Sequence, residues 1–225
     1  MTIRNWFTFF FKALMIGGLT TGVLGLLIRW EDAFAPYIVS GDYGEFTAAF
    51  FWMVIVGFTM SVVSQMGFFA YLTVHQFGVN IFKSLKLWNW VQLLIIAIVI
   101  LDLVVFRFMP SAETTNQLMF YLGLLVILLF AGLVVAYVKA KWTNKQAFIS
   151  ALFFMIVVTT LEWLPVLMVR ENNIDSWVAL LLFPLLAVNT YQLLKLPKYI
   201  EKSEVDRLRL IERRKARAEA ARTKA

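Results

Sequence analysis

The sequence predicts an all-α fold, a polytopic membrane bundle of six transmembrane helices with both termini cytoplasmic. Three observations lead there. Hydrophobic residues make up 61% of the chain and charged ones 16%, with a mean hydropathy of +0.76, whereas a soluble domain carries about 45–50% apolar and roughly 25% charged residues. The apolar residues are gathered into six stretches, each near the ~20 residues that carry a helix through hydrocarbon at about 1.5 Å per residue. The 21 Lys and Arg are divided unequally between the two sets of connecting loops.

The first stretch, residues 6–28, reads WFTFFFKALMIGGLTTGVLGLLI with Lys12 as its one charge. Its apolar run is too long for a signal-peptide core. Arg29-Trp30-Glu31-Asp32 stands where small residues would mark a cleavage site, so the segment is expected to stay as the first helix. The others are residues 45–74, 87–106, 117–138, 147–169 and 177–194. Residues 1–199 are expected to form the transmembrane domain, and residues 200–225 a basic, partly helical cytoplasmic tail.

Loop charge sets the orientation. Arg4, Lys12, Lys83, Lys86, Lys139, Lys141, Lys145 and every basic residue of the tail fall on one face. Only Arg29, Arg107 and Arg170 fall on the other. Basic loops stay in the cytoplasm, so both ends are expected there, and the bias survives removal of the tail. Trp6, Trp88, Trp90 and Trp142 flank the inner helix ends while Trp30 and Trp177 flank the outer ones, as interfacial aromatic belts do.

Within the helices a few residues stand out. Gly18 and Gly22 form a G-x-x-x-G in the first helix, a candidate helix-packing face. Gln65 is an amide in an apolar helix and is expected to bond across helices. His75, the single histidine, falls where the second helix leaves the lipid. Asp102 and Glu162 lie at similar depth in helices running the same way. An ionisable residue at such depth marks a candidate functional site. Arg107, Arg29 and Arg170 are the expected partners, and an ion pair locking helix ends together is the plainer alternative to a proton or ligand site. Pro165 and Pro184 are expected to kink their helices and free backbone carbonyls.

Nothing calls for catalysis. There is no cysteine, so thiolate metal sites, disulfides and Cys nucleophiles are excluded. No H-E-x-x-H, G-x-S-x-G or phosphate-binding glycine loop occurs, and the sequence assigns no cofactor, metal or catalytic residue. In the tail, Pro197 is expected to end the sixth helix, and Ser203-Glu204-Val205-Asp206 to cap a new one. Arg213, Arg214, Lys215 and Arg217 are candidate lipid-headgroup contacts. No aromatic or structured motif supports nucleic-acid binding.

Several stretches carry a resemblance. RNWFTFFFKALMIGGL, SQMGFFAYLTVHQFG, KLWNWVQLL, EWLPVLMVRENN and FPLLAVNTYQLLKLPKY together resemble the KinB-signalling pathway activation (KbaA) family over residues 4–199. The resemblance implies an integral membrane protein of endospore-forming bacteria. Such proteins are needed for the membrane sensor histidine kinase KinB to feed phosphate into the sporulation phosphorelay. It implies no enzymatic activity and transfers no site residues. The expected partners are the lipid bilayer and a sensor histidine kinase, with self-association open. A small transporter or channel using Asp102 and Glu162 is the competing expectation.

Overall fold

The structure, a computed structural model, describes residues 1–169 and 174–222. It is all-helical, with no strand among the described residues. Among the described residues, six helices are long and apolar enough to cross a membrane. We number them α1 (Ile3–Ile28), α2 (Tyr43–Phe82), α3 (Leu85–Ser111), α4 (Thr115–Trp142), α5 (Ala147–Leu167) and α6 (Ile174–Arg222).

The breaks between helices follow local chemistry. The Asp42 carboxylate accepts from the Glu45 N–H at 3.1 Å to start α2, and α2 stops at Lys83 with φ 51°, a left-handed end. Ser84 then caps α3 through the Leu87 N–H, Thr114 caps α4 through the Gln117 N–H, and the Asn144 side chain accepts from the Ala147 N–H to begin α5. These side chains take up N–H groups that a helix start leaves without partners.

Among the described residues, three π-helical turns interrupt the regular pattern: Trp30–Phe34, Leu103–Phe108 and Phe154–Val158. Pro36 and Pro110 follow the first two, and each withdraws an N–H that a carbonyl four residues earlier would have taken. The third has no such proline. All five of its side chains are buried, with Met155 and Ile156 against Gly132.

The helices are not equal members of the bundle. In the most apolar stretch of α5 and of α6, 67% of residues are buried, against 17% in α2. Residues 151–160 of α5 are buried on every side, the mark of a central helix. The main core gathers Phe9, Phe68, Tyr71, Phe154 and Leu182, with the Phe68 and Phe154 rings edge to face at 5.2 Å. A smaller core of Phe34, Met53 and Leu180 closes the Trp30 end.

The sixth helix departs from the sequence expectation. It does not stop at Pro197, and no new helix starts at Ser203; α6 runs unbroken for 49 residues through Pro184 and Pro197. An interior proline costs about 3 kcal/mol, partly through the carbonyl it orphans. For Pro197 that carbonyl belongs to Leu193, and the Lys139 ammonium of α4 donates to it at 2.8 Å. The Ser203 hydroxyl donates back to the Tyr199 carbonyl at 2.6 Å instead of capping. At about 1.5 Å per residue, α6 is far longer than the ~30 Å of hydrocarbon it would have to cross.

Polar contacts tie α6 down at two further places. At the Trp30 end Gln117 and Tyr121 of α4 donate to the Asp175 carboxylate. Toward the tail, Asn5 of α1 donates to Ser203 and to Asp206 at 3.0 Å each, and Arg4 pairs with Asp206 at 3.1 Å.

Candidate buried polar site

Three helices turn polar residues toward one another in the otherwise apolar interior. Ser61, Ser64 and Gln65 lie on one face of α2, since residues three and four apart are neighbours on a helix. Thr159, Thr160 and Glu162 come from α5, and Asn189 and Gln192 from α6. All eight are buried.

Asn189 is the hub. Its Nδ2 donates to Glu162 Oε2 at 2.6 Å and to Thr159 Oγ1 at 2.9 Å. Its Oδ1 accepts from the Ser64 hydroxyl at 2.8 Å, and Ser64 Oγ accepts from Gln192 Nε2 at 2.8 Å. The donors run in one direction, Gln192 to Ser64 to Asn189 to Glu162. Every atom in that chain has a defined role as donor or acceptor.

The chain is incomplete at its edges. Glu162 Oε1, Gln192 Oε1, Gln65 Oε1 and Thr160 Oγ1 are buried and take no hydrogen bond from a described residue. A hydrogen bond between membrane helices is worth on average about 0.6 kcal/mol and at most ~1.7. A buried polar atom left without one costs about 1–3 kcal/mol. The cluster therefore adds little net stability, and several of its groups have acceptor capacity to re-pair. The low dielectric around the cluster makes each unpaired atom costly.

Glu162 also fixes how closely α2 and α5 approach. Its Oε1 occupies the place a Cβ on Gly67 would need. Beyond it an apolar groove of about 520 Å³ opens outward between α2 and α5, lined by Val63, Met66, Ala70, Val157 and Leu161 among others.

A second polar set lies nearer the Lys83 end. The Tyr71 hydroxyl donates to the Ser150 carbonyl at 2.8 Å, the Ser150 hydroxyl to Gln92 Oε1 at 3.2 Å, and the Trp88 indole N–H to His75 Nδ1 at 3.0 Å. Gly78 makes room for the Trp88 ring.

The residues singled out in the sequence are distributed as follows. Asp102 and Glu162 do not meet. Asp102 pairs with Arg107 at 3.4 Å, both partly exposed, while Glu162 takes an amide partner instead of a cation. Arg29 sits over the Trp177 ring, 4.1 Å from its centroid. Burial lowers the pKa of its guanidinium, with Asp32 opposing that pull. Arg170 lies outside the described residues. Gln65 donates to Ser61 of its own helix at 3.4 Å, not across to a neighbour. Gly18 packs against the Phe58 ring and Gly22 against Val54 and Phe50, so α2 of the same chain covers that face. Arg213 and Arg214 are exposed; the side chains of Lys215 and Arg217 lie outside the described set. Asn189, Gln192, Thr159 and Gly67 were not singled out. The available signal was the three-residue spacing of Asn189 and Gln192 inside an apolar helix, which puts both amides on one face.

The class defined by this fold and site is a bundle of six apolar helices threaded by a buried hydrogen-bond chain. Within that class the chain belongs to the KbaA family, described as KinB-signalling pathway activation in sporulation, whose model matches residues 17–199. It is 42% identical over 202 residues to a KinB-signaling pathway activation protein of Bacillus subtilis (strain 168), covering 90% of this chain and 100% of that one. No solved structure matches it significantly.

Proposed function

We propose that this chain is a non-enzymatic, multi-pass protein of the cell membrane that activates a KinB-type sensor histidine kinase feeding the sporulation phosphorelay. Both termini face the cytoplasm, residues 1–199 form the membrane domain, and residues 200–225 form a basic cytoplasmic tail. It acts through helix contacts in the membrane, and α6 is the working part. The observation that carries this reading is that one helix holds Asn189 and Gln192 in the buried polar chain and continues without a break to Arg222. Any re-pairing at Asn189 moves the same rigid element that Lys139, Asn5 and Arg4 grip further along. The pathway comes from the family and from the named relative.

A transporter or channel has less behind it, because Asp102 and Glu162 belong to separate clusters and form no continuous polar path. The test places a photoreactive amino acid at exposed positions, Val62 and Met66 on α2 and Leu208 on α6, in sporulating cells. Cross-links identified by antibody as the kinase are expected. Cross-links only to a second copy of the chain would contradict the partner reading. Reporters fused to the two ends should both read cytoplasmic; opposite compartments would overturn the topology.

A further inference from the structure

A pocket of about 260 Å³ lies at the end of the bundle that carries the Lys83–Ser84 and Thr143–Gln146 connections, among α2, α4, α5 and α6. Its polar lining has an unusual character. Lys139 contributes an ammonium with one proton committed to the Leu193 carbonyl, and Lys carries three donors and no acceptor. His75 accepts the Trp88 indole N–H on Nδ1, so its proton sits on Nε2 and that edge donates. Asn144 uses its Oδ1 to cap Ala147, which leaves its Nδ2 amide to offer. The Tyr71 hydroxyl is already committed to the Ser150 carbonyl. No Asp or Glu lines the pocket.

We infer that this pocket is a phosphate-binding site, with Lys139, His75 and Asn144 as its donors and Phe68, Leu72 and Leu196 as an apolar wall beside them. Three donors, one of them cationic, match an anion with several acceptor oxygens, and charge-assisted hydrogen bonds are the strong ones. Gln146, also in the lining, offers an amide with both donor and acceptor, so an anion is favoured by the Lys139 charge and the absence of any carboxylate in the lining. The volume is below the roughly 300–1,000 Å³ of sites for drug-sized molecules. It therefore admits a phosphate and its first ester atoms but not a whole lipid. Trp142 is exposed at this end of the helices, the level at which phospholipid phosphates lie. The phosphate can belong to a lipid headgroup or be free in solution.

Full-length protein purified in a neutral detergent separates these cases by native mass spectrometry with three probes: phosphatidic acid, diacylglycerol with the same acyl chains, and inorganic phosphate. Phosphatidic acid is expected to stay bound where diacylglycerol does not. Lys139→Gln keeps an N–H for the Leu193 carbonyl while removing the charge, and should lower retention roughly tenfold, the scale of one charge-assisted hydrogen bond. Lys141→Gln, outside the pocket and exposed, should leave retention unchanged. Asn144→Ser, which keeps a capping oxygen and loses the amide donor, should weaken binding even if the Lys139 variant folds poorly. Displacement by inorganic phosphate assigns the site to the free ion, and resistance to it assigns the site to the headgroup. Equal retention of phosphatidic acid and diacylglycerol, or undiminished retention by both pocket variants, overturns the inference.

Discussion

α2 makes two kinds of contact, and they obey different rules. Toward α1 it packs backbone to backbone: a Cβ placed on Gly17 would lie 2.8 Å from the Gly57 carbonyl oxygen, and Gly57 has no room for one against Gly17 and Thr21. Thr21, buried in that seam, donates to its own helix at 2.9 Å, and buried Ser61 sets its Cβ against Gly17. Toward α5 and α6, α2 presents Ser61, Ser64 and Gln65 to a cluster with several unpaired oxygens. The first seam is set by shape, which has one solution in a close-packed interior. The second is set by hydrogen bonds with more acceptors than donors, so several oxygens stay unpaired. One contact is closed by shape and the other leaves acceptors open.

Substitutions separate the two seams, and the largest effect belongs to the first. Gly57→Leu drives a side chain into the Gly17 carbonyl and should destabilise the protein by about 3 kcal/mol, at the upper end for overpacking. The readout is loss of membrane abundance and a lower thermal midpoint in detergent. Asn189→Leu removes the hub of the polar chain and should cost about 1–2 kcal/mol, the range of a strong interhelical hydrogen bond, measured the same way. Glu162→Gln keeps the shape and an acceptor for Asn189, so its thermal midpoint should move by less than about 1 kcal/mol in equivalent stability. Arg107→Ala breaks a partly exposed ion pair and should shift stability by no more than about 0.5 kcal/mol, abolished by high salt. An Arg107 effect larger than that of Asn189 would erase the distinction between a buried hub and an exposed pair.

Much of the architecture was legible because hydropathy is a local property. The six apolar stretches predicted six helices, and caps such as Ser84 and Thr114 sit where the sequence changes character. What escaped was set by neighbours distant in the chain. Pro197 reads as a stop, yet the Lys139 ammonium from α4 supplies the donor its ring removes. Glu162 reads as half of an ion pair, yet its partner is an amide on the next helix. Asn189 sits in an apolar stretch of α6, and nothing in its immediate sequence marks it as a hub. Only the spacing to Gln192 hinted that both share a face. Gly67 was indistinguishable by sequence from any other small residue, and its role follows from the carboxyl packed against it.

If the buried polar chain carries the signal, its hub must matter where an exposed ion pair does not. KinB-dependent phosphorelay output, measured in sporulating cells at matched membrane abundance, compares Asn189→Leu, which removes the hub, with Asp102→Asn. Asn189→Leu should fall to the output of a strain lacking the gene, and Asp102→Asn should signal normally. Full output from Asn189→Leu, or equal loss from both variants, would overturn that reading.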